Sequence, residues 1–141
     1  MSRRGDTGSV LLLFPAAFMA VLVLGAIAID LGLVQVRARE LGLAASAAAD
    51  DTLAALDVTE LRTTGRLRLD GPRATAVART TLARSAPPGT RLTTLEIVSA
   101  PDGRPRVTLT ACVDVDLVVA PALPGVAGTR TVCRTARTIV R

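Results

Sequence analysis

Residues 9–29, SVLLLFPAAFMAVLVLGAIAI, run for twenty-one positions without a charge. As an α-helix rising 1.5 Å per residue, the run would be about 31 Å long, close to the hydrocarbon thickness of a bilayer. A buried helix of a soluble protein seldom needs so long an unbroken apolar stretch, so a transmembrane helix is expected at 9–29. Pro15 lies inside it. Proline removes one helical hydrogen bond and favours a kink, a defect that membranes tolerate where local structure compensates. Residues 1–8, MSRRGDTG, form a polar leader. Arg3 and Arg4 precede the run and Arg37 and Arg39 follow it, so a count of basic residues does not set the orientation. A basic start, an apolar middle and small residues at the end have the shape of an export signal. The expectation is a single-pass cell-membrane protein with a cytoplasmic N-terminus and an extracytoplasmic C-terminal domain.

Beyond Asp30 the chain continues as LGLVQVRARELGLAASAAADDTLAAL, rich in Ala and Leu and free of Pro. This predicts that the helix extends outward over 30–57, giving about 73 Å from residue 9. Leu33, Val36, Leu43, Ala47, Leu53 and Leu56 are its candidate apolar positions. Arg37, Arg39, Glu40, Asp50 and Asp51 are its polar ones, a loosely amphipathic pattern in which one face packs. Residues 58–71, with Thr63, Thr64, Gly65 and Gly71 as breakers, read as a connection opening the small domain 58–141. Asp70-Gly71-Pro72 has the form of a helix start, and Ala74, Val77, Ala78 and Leu82 follow at helical spacing. Pro87-Pro88-Gly89 ends that helix.

The last third changes character. Residues 92–99 and 106–119 are rich in Val, Leu, Ile and Thr, and Pro101-Asp102-Gly103 between them marks a hairpin turn. Val107, Leu109, Ala111, Val113, Val115 and Leu117 alternate with Thr108, Thr110, Cys112, Asp114 and Asp116, which assigns one apolar and one polar face. Residues 121–128 read as a loop and 129–140 as a last strand. The fold class is therefore α+β: a long N-terminal transmembrane helix continuing into a small domain with a second helix and an antiparallel sheet of about three strands.

The chain has two cysteines, Cys112 and Cys133, both far from the apolar run. An even pair in an exported domain is a candidate disulfide, the alternative being two buried thiols. If the last two strands pair so that 112 faces 133, their loop centres between residues 122 and 123, inside the Pro/Gly-rich stretch. A bridge there would stabilise the domain by roughly 3 kcal/mol.

Composition narrows the function. The net charge is +5, but all the basic residues are Arg, they are scattered, and no Tyr or Trp interleaves with them for base stacking. Nucleic acid is not an expected partner. There is no His, so no Ser-His or Cys-His nucleophile can form. No zinc spacing, phosphate loop or dinucleotide fingerprint is present, and no metal or other cofactor is expected. Asp50 and Asp51 point about 100° apart on a helix and read as a solvated face. Asp114 and Asp116 share a strand face and read as solvent-exposed, with cation binding as the alternative. No catalytic residue is assigned, and the expectation is a protein that is not an enzyme.

Two pairs of small residues, Ala16 with Ala20 and Ala28 with Gly32, have the small-xxx-small spacing that lets helices approach closely in lipid. They are the candidate helix-packing positions, and a homo-oligomer through the helix is one expected assembly.

The Arg-Arg leader, the Gly8-Ser9 step, the apolar helix closing on GAIAID and the Ala-rich AASAAADD segment resemble the TadE/TadG-like proteins of Flp, or tight-adherence, pilus systems, in their short actinobacterial form. The resemblance covers roughly residues 3–56. It implies a pilin-like minor component with one helix in the membrane, a small domain outside, and other pilin-like or Tad-system membrane proteins as partners beside the lipid bilayer. The family pattern includes cleavage after a Gly by a prepilin peptidase, which would fall between Gly8 and Ser9. It also places a Glu at the fifth mature position, where this chain has Leu13. That departure implies a protein that stays in the membrane or caps an assembly. A competing cut follows Ala26-Ile27-Ala28, an A-x-A pattern that a signal peptidase uses. It would release an exported binding module able to engage envelope polymers or another exported protein.

Overall fold

The computed structural model describes residues 7–101, 103–122 and 125–140. Residues 1–6 of the leader, with Arg3 and Arg4, lie outside the described residues. Helix α1 spans Thr7–Asp51 and is helical throughout, including at Pro15. Its 45 residues give it a length of about 68 Å. It is long and apolar enough to cross a membrane, and its most apolar window is 0% buried by the rest of the protein.

The helix stops earlier than residue 57, and the reason lies in a backbone ladder. A 3₁₀ turn, Thr52–Ala55, closes α1, and Leu56 turns extended at φ −61°, ψ 135°. Thr52, fully buried, donates its hydroxyl back to the Ala49 carbonyl at 2.6 Å. Leu56 then bridges Leu69, the Asp57 N–H donates to the Arg68 carbonyl at 2.8 Å, and the Asp70 N–H donates to the Ala55 carbonyl at 2.9 Å. Pairing with 68–70 takes residues 55–57 out of the helix.

Both aspartates of this ladder start helices. Asp57 accepts the N–H groups of Thr59 and Glu60, each at 3.0 Å, and opens α2, Val58–Thr64. Gly65, at φ +70°, closes α2 in the left-handed region that favours glycine. The stretch expected as a plain connection therefore carries a helix. Asp70 accepts the Arg73 N–H at 3.1 Å and caps α3, Gly71–Ser85, where Pro72 sits in the first turn as expected. Ala74, Ala78, Thr81 and Leu82 are the buried face of α3, and Val77 is only half-buried.

Strands β1 (Arg91–Ser99), β2 (Pro105–Asp116) and β3 (Thr129–Ile139) form an antiparallel sheet with β2 in the centre. The alternation in β2 holds: Val107, Leu109, Ala111, Val113 and Val115 are buried. Cys112 pairs directly with Cys133, so the register centres the loop between residues 122 and 123 as the sequence predicts. β2 ends at Asp116 rather than at Val119, because the N–H groups of Val118 to Ala120 are drawn to α1, as described below.

The C-terminal half of α1 lies across this sheet and against α3. Ala38, Leu41, Ala44, Ala45, Ala48 and Ala49 pack with Ala78, Leu82, Leu109, Ala111, Val113, Val115, Val132 and Ala136 as one core. The buried side of α1 is thus its small-residue side. Of the positions expected to pack, Leu33, Val36, Leu43 and Ala47 are exposed and Leu53 and Leu56 are half-buried. Alanine explains the inversion: a helix with methyl side chains can lie closer to the sheet than one presenting Leu, and close approach gains dispersion contacts along its whole length.

Candidate membrane-contact site

Asp30 closes the apolar run, and a charge at that boundary needs polar partners. The fold brings them from the loop between β2 and β3. The Asp30 carboxylate accepts the N–H of Val118 at 2.8 Å, of Val119 at 3.1 Å and of Ala120 at 2.9 Å. Successive N–H groups can converge on one carboxylate only where the chain curls, and here a 3₁₀ turn, Ala120–Ala122, supplies the curl. The base of the loop is closed by the Leu117 N–H donating to the Gly128 carbonyl at 2.8 Å. A Cβ on Gly128 would come within 3.1 Å of Pro121 Cγ, so the two arms of the loop lie close together there.

Between this loop and α1 runs a cleft of about 390 Å³. On the helix side it is lined from Met19 through Ala26, Ile27 and Asp30 to Val34, and on the loop side by Leu117, Val119, Ala120 and Val126. Arg130, at the start of β3, also borders it. Its walls are almost wholly apolar, and no residue between Asp116 and Arg130 is charged.

The outer face of the sheet is polar and cross-linked. The Cys112–Cys133 disulfide is formed between directly opposed residues, with Cα atoms 4.1 Å apart. A register shift between Leu92 and Thr94 accompanies a hydrogen bond from the Thr93 hydroxyl to Cys112 Sγ at 3.3 Å. Thr110 and Thr135 hydroxyls meet at 2.9 Å. Thr131 donates its hydroxyl to Asp114 at 2.6 Å, and Arg91 pairs with the same carboxylate at 2.9 Å. The Thr131 hydrogen bond, with the Arg91 charge, holds the Asp114 carboxyl below the usual carboxylate range. Asp114 is therefore already engaged, and a guanidinium stands where a bound cation would be needed. Asp51 also has a partner, since its carboxylate accepts the Thr81 hydroxyl from α3 at 2.7 Å. Among the described residues no group of three or more His, Cys, Asp or Glu side chains is placed to hold a metal.

The other sequence-derived positions do not converge. Gly8 and Ser9 fall in the first turns of α1. Ala26 is half-buried on the cleft, whereas Ala28 is exposed. Ala16, Ala20 and Gly32 are exposed as well. At 100° per residue the pair Ala16 and Ala20 faces about 120° away from the pair Ala28 and Gly32, so the four do not make one stripe.

No family model, curated protein or solved structure matches this chain. Asp30 and the loop on it carry signals that sequence reading can use: a carboxylate closing an apolar run requires donors, and a charge-free segment bounded by Asp116 and Arg130 stands out in a domain otherwise dotted with charge.

Proposed function

We propose that this chain is a membrane-anchored, pilin-like minor component of a Tad/Flp-type pilus or secretion system, structural rather than catalytic. The observation that supports this reading most is the outward side of α1. Ile29, Leu33, Val36, Leu43 and Ala47 are exposed and share one side of the helix, as a seam, at steps of four, three, seven and four residues, the seven-residue step passing over the charged Arg39 and Glu40. The seam continues from the apolar run into the part of the helix that carries the sheet. Leu43 is 68% exposed although it is flanked by core residues on the other side of the same turns. A seam of this kind is suited to lateral packing against a second single-helix protein, either a copy or a homologue. Leu13 stands where the family pattern has Glu, which supports an anchoring role over a place inside a filament.

The alternative is an exported binding module. It is favoured by one feature: among the described residues the buried side chains of α1 begin at Ala38, so cleavage after Ala28 would leave the core complete. Mass spectrometry of the mature protein separates the readings. A chain starting at Ser9 is the expected product of pilin-type processing, and an intact Met1 indicates a plain anchor. A soluble product starting at Ile29 would overturn the anchored reading in favour of the released module. Photo-crosslinking from Leu43 in native membranes then tests the seam, with a single-helix exported protein or a second copy as the expected adduct.

A further inference from the structure

Val118 and Val126 are 68% and 48% exposed on the β2–β3 loop, an unfavourable state for apolar side chains facing water. Val126 lines the cleft with helix residues that are exposed too, Met19, Leu22, Val23 and Ile27, and Val118 is the chain neighbour of the lining residues Leu117 and Val119. The loop and the helix thus present one continuous apolar surface. From Asp30 down to Met19 the cleft between them follows eleven residues of helix, about 17 Å. Half of a hydrocarbon core about 30 Å thick is close to that depth, and Met19 is the midpoint of the run 9–29. Arg130 stands at the outer end and makes no hydrogen bond or ion pair among the described residues.

We infer that the β2–β3 loop is a second membrane-embedded element, and that its cleft with α1 holds an acyl chain of an anionic phospholipid of the outer leaflet, with the lipid phosphate at Arg130. Three features favour lipid as the occupant. The surface is continuous with the anchoring helix, its depth fits one leaflet, and among the described residues its one free charge is a cation at the level where a phosphate lies. Asp30 makes such a loop possible, because its carboxylate satisfies three N–H groups that would otherwise enter an apolar phase unpaired. The inference rests on the anchored reading, and its test separates the two.

The full chain is reconstituted into vesicles of phosphatidylcholine and phosphatidylglycerol, with an environment-sensitive fluorophore on Val126→Cys, Phe18→Cys or Thr135→Cys in separate variants. Quenching by lipid-attached spin labels is expected at residues 126 and 18 but not at 135, which lies on the outer sheet face. If residue 18 is quenched by lipid and residue 126 only by aqueous iodide, the loop proposal is wrong and the anchor stands. If residue 18 also responds only to iodide, the anchor itself is wrong. Shielding of residue 126 from both quenchers would mean that protein covers the loop, again overturning the proposal. Native mass spectrometry from detergent supplies the ligand test: retained phosphatidylglycerol is expected for the wild type and its loss for Arg130→Gln. Equal retention by both would remove Arg130 from the site.

Discussion

The carboxylate of Asp30 accepts the backbone N–H of Ala120 at 2.9 Å, joining two residues ninety positions apart. With Val118 and Val119 on the same carboxylate, this contact ties the sheet to the helix where the apolar run ends. Replacing Asp30 with Ala leaves three N–H groups without their acceptor. The expected outcome is a local loosening, read as faster hydrogen exchange at Val118, Val119 and Ala120, with β2 residues such as Leu109 unaffected. Asp30→Asn, which keeps one carbonyl oxygen, should fall between.

The disulfide spans 21 positions and links the central strand to an edge strand. Its removal in the double variant Cys112→Ser, Cys133→Ser is expected to lower the unfolding free energy by roughly 3 kcal/mol, since the unfolded chain regains the freedom of that loop. Thermal or denaturant unfolding of the protein in detergent, with and without reductant, checks this. Both the variant and the reduced wild type should shift by similar amounts.

How far the sequence revealed this fold depends on which physical signal each element carries. The strand register was readable because two cysteines and a Pro/Gly loop fix one alignment, and the faces of β2 because its alternation is clean. Helix α3 was readable from its Asp-Gly-Pro start. Helix α2 was not, because Thr63 and Thr64 are weak helix formers, whereas Asp57 as a cap and Gly65 as a terminator outweigh them. The packed side of α1 was misread for a different reason. Hydrophobicity ranks Leu33, Val36 and Leu43 first, but packing selected Ala38, Ala45 and Ala48 for their size. The Asp30 contact depends on an arrangement 88 to 90 residues away, which no local pattern encodes.

That size selection makes a direct prediction. Ala45 and Ala48 are fully buried under the sheet, while Ala47, one position away from Ala48, is exposed. Ala45→Leu or Ala48→Leu must push α1 away from the sheet and should destabilise by about 1–3 kcal/mol. Ala47→Leu should stay within about 0.5 kcal/mol of wild type. Equal effects at positions 47 and 48, measured by denaturant unfolding, would mean that the helix face is assigned wrongly.

Asp114 gives the sheet a dependence on pH whose sign follows from its partners. The Thr131 hydroxyl and the Arg91 guanidinium favour the ionised carboxylate, so its pKa is lower in the folded state than in the unfolded one. Such a group adds stability that is fully present above the unfolded value, about 3.9 for Asp, and that is lost as pH falls through the folded value. Stability measured across this acid range should therefore drop more steeply for wild type than for Asp114→Asn. Because the carboxylate is exposed, the difference should be small and should shrink in high salt to the extent that Arg91 supplies it. Thr131→Val separates the two partners: it should flatten the acid slope while leaving the salt dependence in place, since the Arg91 pair survives. If instead Thr131→Val leaves the slope unchanged, the Arg91 charge alone sets the protonation of Asp114, and the hydroxyl contact has no part in it.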